Sequence, residues 1–284
     1  MITDTDTAAQ ERFLQAFHAE HPAVTSEAFA HGRSPDGRSS YQLLSDQVAG
    51  HRRVLDLGCG DGLLLDLLAR EPGRELAGLD LSAHALAVAR RRPALAGVRL
   101  EQGRAQQLPF PDGGFDACVS HMALMLMGEA ELVAAELARV IIPGGVLACV
   151  IGGGAVGGEA YEAFVALLRA TVAATPPEQR IPSLGDRRTR SREGLDELLG
   201  PAGFGPVTWE TVPIDLTGPV EEVWASLSGL YDLAPLDGPA RERLHLAFLT
   251  AADELTTPEG LVPCGFRVHL VTARRHRPGP VAAP

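Results

Sequence analysis

Three acidic or basic side chains stand at the ends of short apolar runs, where they could meet a ligand. Asp56 ends the first run and is followed by glycines at alternate positions, Gly58, Gly60 and Gly62, within Val-Leu-Asp-Leu-Gly-Cys-Gly-Asp-Gly at 54–62. Glycine tolerates positive φ and puts no side chain between backbone and ligand, so this turn can lie against a bound molecule. Asp80 ends the second run, Glu75–Leu81, twenty positions after Gly60. A carboxylate there can accept hydrogen bonds from both hydroxyls of a ribose. Its other reading is a cap for the next helix, for which Ser82 is better placed. His121 follows the third run, Phe115–Ser120. An imidazole titrates near neutrality and can act as a general base.

The elements that must position these groups alternate along the chain. Strands are expected at Arg53–Leu57, Glu75–Leu79, Val98–Glu101, Phe115–Ser120, Val146–Ile151, Pro206–Ile214 and Gly265–Ala273. Between or after them the helical period appears at Asp61–Arg70, Ser82–Arg92, Gly128–Val140, Tyr161–Ala173, Glu193–Leu199, Val220–Tyr231 and Pro239–Leu255. Such alternation predicts an α/β fold with a parallel sheet. Ligands of open parallel sheets bind outside the carboxyl ends of the strands, which puts Ser120, His121 and Met122 at the binding edge. Before the sheet, residues 1–7 are expected to be disordered and Ala8–Glu20 to form an amphipathic helix, with His18 and His21 exposed or capping at its end. Ser39 or Ser40 is expected to cap a helix over Tyr41–Val48. Gly152–Gly158 reads as a flexible connection, Arg90–Arg92 as a solvated helix end, and Pro278–Pro284 as a proline-rich tail.

The glycine spacing differs from G-x-G-x-x-G by one residue and resembles motif I, D/E-x-G-x-G-x-G, of the class I S-adenosylmethionine (SAM) dependent methyltransferases. Two further segments are similar to that family. Gly103-Arg-Ala-Gln-Gln-Leu-Pro-Phe110 resembles G-D-A-x-x-L-P-F, and Arg139-Val-Ile-Ile-Pro-Gly-Gly-Val-Leu147 resembles R-V-L-K-P-G-G-x-L. The resemblance adds double winding and implies a mostly parallel, seven-stranded, Rossmann-like sheet whose last strand is antiparallel beside the sixth, with helical lid insertions. It implies SAM as cofactor and S-adenosylhomocysteine (SAH) as product; the sequence shows no paired metal ligands, so no metal is expected. Carried onto this chain, the resemblance assigns Tyr41, Asp56, Gly58, Cys59, Gly60, Asp80, Leu81, Arg104, Ala105, Gln106 and Ser120 to the cofactor. Arg104 departs from the pattern, because its side chain donates only and cannot accept from the adenine amine. It could stack on the adenine or turn outward.

Methyl transfer chiefly requires alignment in a water-poor pocket. His121 is the candidate base, its other reading being a contact to the methionine end of the cofactor. Tyr161, Tyr231 and Asp232 are further candidates for the base, and Met122, Met125, Tyr161 and Tyr231 are candidates for the acceptor site; flexible thioethers can mould an apolar wall. Residues 1–48 read as an N-terminal helical lid, and 49–284 as the core, with lid insertions at about 152–190 and 217–263. The expected acceptor is a small or medium organic molecule, with natural-product tailoring as the working reading. The competing readings are a non-methylating cyclisation or elimination on the same fold, and a non-catalytic SAM-binding module.

Bulk composition narrows the partners. The formal net charge of −11 argues against a nucleic-acid substrate and against an anionic membrane surface. The apolar stretch 140–151 is interrupted by Pro143-Gly144-Gly145 and too short to span a bilayer. The N-terminus shows no apolar leader, so a soluble, cytoplasmic monomer or homodimer is expected. Cys59, Cys118, Cys149 and Cys264 are scattered, as buried free thiols would be.

Overall fold

The computed structural model describes residues 4–156, 159–176 and 180–277. The proline-rich tail, residues 1–3 and the end of the glycine-rich connection lie outside the described residues. Seven strands form one sheet in the order β3-β2-β1-β4-β5-β7-β6. They are β1 (Arg53–Leu57), β2 (Glu75–Asp80), β3 (Arg99–Gln102), β4 (Phe115–His121), β5 (Ile141–Ala155), β6 (Thr208–Asp215) and β7 (Gly265–Arg274). The first five pair in parallel, while β7 runs antiparallel between β5 and β6. The doubly wound, seven-stranded α/β architecture is therefore present, including the reversed last strand.

The order reverses between β1 and β4, and the carboxyl ends of these two strands hold Leu57 and His121. β1 is buried through Leu57 because the sheet is covered on both faces, as parallel sheets are. One face packs Leu55, Leu57, Cys118, Leu137 and Phe204 together, and the other packs Leu44, Val54, Val119, Val150 and Val268. The helices are α1 (Asp4–Glu20), α2 (Val24–Phe29), α3 (Ser40–Asp46), α4 (Leu63–Leu68), α5 (Ala83–Ala89), α6 (Ala130–Val140), α7 (Ala160–Ala173), α8 (Arg192–Leu199), α9 (Val220–Leu227) and α10 (Gly238–Asp253). Helices α7, α9 and α10 build a separate apolar cluster around Phe164, Val223 and Phe248.

Three expectations are corrected and one helix is added. Helix α1 starts at Asp4, so residues 4–7 are ordered; Thr7 is fully buried, and a Cβ on Gly128 would stand within 3 Å of its hydroxyl. Strand β5 continues through the glycines to Ala155, because Gly154 and Ala155 pair with Arg267 and Phe266 of β7. Helix α2, unforeseen in a stretch of only six residues, lies between α1 and the turn before α3. Arg92 is not a solvated helix end: its Nε donates to the Asp61 carbonyl at 2.6 Å and its guanidinium pairs with the Asp61 carboxylate. Ser39 caps α3 as one of the two serines proposed, in a capping box with Gln42.

Candidate active site

The glycine turn is held against the end of β2. The N–H groups of Gly58 and Cys59 both donate to the Leu79 carbonyl, at 2.8 and 3.0 Å. Gly58 has φ 76°, and a Cβ on it would stand 2.3 Å from the Cβ of Ala123, so no other residue fits between the turn and the segment after β4. The Asp80 carboxylate accepts from Gly60 N–H at 2.7 Å and from Ser82 N–H at 2.8 Å. Both oxygens keep a further lone pair for a ligand.

Two clefts meet over this turn and share His18, Gly58, Asp80, Ala123 and Leu126. The first, about 650 Å³, runs between α1 and the loop after β3; Gln10, Glu11 and Leu14 face Leu81, Arg104, Ala105 and Gln106. The second, about 580 Å³, is lined by Tyr41, Asp56, Cys59, Gly60, Asp61 and His121. A larger cavity of about 1560 Å³ shares Met122, Leu126 and Tyr231 with the second cleft. Met122, Met125, Tyr161, Tyr231 and Asp232 all line it. Met122 has φ 56°, a sparsely populated conformation for a residue with a side chain. It turns the chain at the end of β4, where the second cleft and the cavity adjoin.

The carboxylate of Asp56 is buried with both oxygens unpartnered. Burial pushes its pKa well above the usual carboxylate range, and the negative charges of Asp80 and Asp61 add to that shift. Asp61 is held by the Ser26 hydroxyl at 2.9 Å and by Arg92. His121 is buried and stacked on Tyr41, with ring centroids 3.8 Å apart. Its Nε2 lies 2.9 Å from the Ser40 hydroxyl, while its Nδ1 has no partner. Burial lowers its pKa to about 3, so the ring is neutral at physiological pH. Burial also raises the Tyr161 phenol to about 12 and pushes Tyr231 further up.

SAM carries an adenosyl group, an amino acid and a cationic sulfonium, and these clefts fit it. The unpartnered Asp56 carboxylate lies under the turn, where a ligand's positive charge would offset the carboxylates gathered there. Asp80 offers acceptors to a ribose. Leu81, Ala105 and Gln106 line the first cleft, the Gln106 amide donating to the Gly128 carbonyl at 2.9 Å. Among the described residues no group of three or more His, Cys, Asp or Glu could hold a metal ion. All four cysteines are free and buried.

Ten of the eleven residues assigned to the cofactor line one or both clefts. Ser120 does not: it is fully buried, its hydroxyl donates to the Leu57 carbonyl at 2.8 Å and accepts from Leu124 N–H at 3.1 Å. It joins β1 to the turn after β4 and so shapes the floor from behind. Arg104 lines the first cleft but pairs with Glu11 of α1 at 2.8 Å and with Glu129 at 2.7 Å. His18, expected to be exposed or capping, instead turns into the site. Its Nε2 lies 3.0 Å from the Tyr231 hydroxyl, and it lines both clefts. Gln10, Leu14 and His18, four positions apart, mark the face of α1 that lines the first cleft. Ser26, Ser40 and Asp61 were also missed, because each acts through tertiary contacts that local sequence does not record.

Comparison with known proteins agrees with this geometry. The methyltransferase domain family matches residues 55–149. Demethylmenaquinone methyltransferase of Thermus thermophilus is 42% identical over 97 residues, covering 33% of this chain and 44% of that one. The matched part thus spans less than half of that relative. Trans-aconitate 2-methyltransferase of Methylobacterium nodulans is 32% identical over 240 residues, covering 81% of this chain and 89% of the other. Among solved structures, the [4+2]-cyclase SpnF superposes with a TM-score of 0.59 at 22% identity, covering 95% of this chain and 98% of that one.

Proposed function

The chain belongs to the class I SAM-dependent methyltransferases, and from that premise we propose that it methylates a small or medium organic acceptor bound in the cavity beside Met122. The observation that carries the proposal is the shared wall. Met122, Leu126 and Tyr231 line both the second cleft and the large cavity, so a molecule in the cavity can meet the methyl end of a cofactor in the clefts. When bound, SAM supplies an activated methyl group on a sulfonium. The chain's own part is alignment and exclusion of water, a proximity effect that can reach roughly 7–11 kcal/mol. Asp80 takes the ribose, Asp56 and Asp61 face the cationic end, and Leu81 with the loop after β3, Gly103 to Gln106, receives the adenine. His121 serves as a neutral positioning group rather than a strong base, since its proton affinity is low.

Residues 1–48 act as a helical lid, supported by the α1 side chains that line both clefts, and the insertions at 152–190 and 217–263 enclose the acceptor. The acidic net charge disfavours a nucleic-acid acceptor. Among the described residues no helix is long and apolar enough to cross a membrane. Four free buried thiols suit the reducing cytoplasm, and natural-product tailoring as monomer or homodimer completes the reading. The fold does not by itself choose methyl transfer over cyclisation, because a cyclase shares it. The relative matched across most of both chains favours methyl transfer.

Calorimetry with SAM and SAH, followed by incubation with methyl-labelled SAM and a library of small acids, alcohols and amines, tests the proposal. Binding of both and release of SAH with a labelled product is expected. Asp80→Asn should weaken SAH binding at least tenfold, about 1.4 kcal/mol. Product formation without consumption of SAM would replace the reading with cyclisation or elimination.

A further inference from the structure

Among the described residues the acceptor cavity contains one cation, Arg190, in walls that are otherwise mostly apolar. It belongs to a cluster of three arginines whose neighbours behave differently. Arg188 is committed to Asp186 and Glu131, at 2.6 Å each. Among the described residues no carboxylate lies within ion-pair distance of Arg190. Its guanidinium makes one long contact, Nη2 donating to the Met125 carbonyl at 3.4 Å. Arg190 is exposed overall, and the partial burial of its guanidinium lowers its pKa from the usual arginine value.

The placement of Arg190 is built into the chain. Gly185 has φ 66°, and a Cβ there would stand 2.0 Å from the Met125 carbonyl oxygen, so only glycine lets this segment lie on the turn after β4. The single turn Arg187–Arg190 then carries Arg190 to the same turn, beside the wall shared with the second cleft.

We propose that Arg190 is the residue that selects the acceptor, and that the acceptor is an amphipathic carboxylic acid, its apolar body against Met122, Met125 and Phe266 and its carboxylate on the guanidinium. Guanidinium is the side chain best matched to a carboxylate, and the bidentate, charge-assisted pair the two can form is the strong form of such a contact. The chemistry fits as well. An alcohol or an ammonium acceptor must lose a proton, and the best bases titrate near the working pH. The imidazole of His121 and the phenols of Tyr161 and Tyr231 do not. A carboxylate is already ionised. One of its oxygens forms the bond to the methyl carbon, the carbon–sulfur bond breaks with its electron pair going to sulfur, and a methyl ester and a neutral thioether result with no proton moved. Asp232, the one anion of the cavity among the described residues, makes a basic acceptor the competing choice.

This inference rests on the methyltransferase reading, and the test separates the two. Protein saturated with SAH is titrated calorimetrically with carboxylates from butanoate to dodecanoate and with 4-phenylbutanoate. The matching methyl esters, alcohols and amines are titrated alongside, and methyl esters formed from SAM are measured by mass spectrometry. Wild type should bind at least one acid and not its ester. Arg190→Met should weaken that acid at least tenfold and Arg190→Lys less, with SAH affinity and melting temperature unchanged in both. Acid binding indifferent to Arg190, or binding of an amine that Asp232→Asn abolishes, would overturn the proposal while leaving methyl transfer intact. Failure of the unmodified protein to bind SAH would instead remove the methyltransferase reading itself.

Discussion

His121 shows how burial changes what a residue can do. From sequence it is a histidine at a ligand edge, with the proton affinity of a base. In the fold it is stacked on Tyr41, bonded to Ser40 and taken out of water, and its pKa falls to about 3. The consequence for stability has a definite sign. The unfolded chain binds the His121 proton more readily than the native one, so folding is unpenalised above about pH 6.5. Stability then declines as pH falls from there towards 3, by at most about 1.4 kcal/mol per pH unit. His18 works in the same sense, its pKa being lowered chiefly by burial. Asp56 works oppositely, because its raised pKa lets the native state take up a proton first. Comparing wild type with His121→Gln therefore isolates the one group. Melting temperatures measured from pH 7 to pH 4 should fall less steeply in the variant, and parallel declines would place the acid sensitivity elsewhere.

At the scale of elements, helix α1 is the part that the sequence reported least well and the site depends on most. The strands were legible because apolar runs, glycine turns and the motif spacing all point the same way, and β1 begins and ends where the pattern does. The contacts of α1 were not, since they join residues about a hundred or more positions apart. Two of them clamp it over the first cleft, and their magnitudes differ. Arg104 stands where the family has an acid and pairs across to Glu11, but it is exposed, and such pairs contribute about 0.2–1 kcal/mol. Gln10 is buried; its amide donates to the Leu126 carbonyl and accepts from Gly185 N–H at 3.0 Å. Removing it strands two buried backbone groups at about 1–3 kcal/mol each. Gln10→Ala should therefore speed SAH dissociation well beyond the roughly fivefold ceiling for Arg104→Ala. Only the Arg104 effect should be reproduced by raising salt. Stopped-flow dissociation rates at two ionic strengths compare them, and equal, salt-insensitive effects would mean that neither contact holds α1 as described.

Across the whole molecule, the cofactor clefts and the acceptor cavity draw on different cores. The clefts rest on the two faces of the sheet, around Leu57 and Val119. The cavity's outer wall rests on the α7, α9 and α10 cluster, where Phe164 is fully buried edge-on to Trp224 and Phe248. The sequence pattern defines the first core through the motif and leaves the second as amphipathic helices of unspecified destination, which explains why the cofactor is better specified than its acceptor. Phe164→Ala should cost about 3–5 kcal/mol of stability where it is felt, because the cavity it leaves cannot fully collapse. If the two cores are energetically separable, that loss appears as faster hydrogen exchange in α7, α9 and α10 and as weakened acceptor binding. SAH affinity by calorimetry then stays within a few fold of wild type, since neither cleft includes a residue of that cluster. An equal loss of SAH affinity would show instead that the cores fold and fail as one cooperative unit. The acceptor wall could not then be redesigned without disturbing the cofactor site.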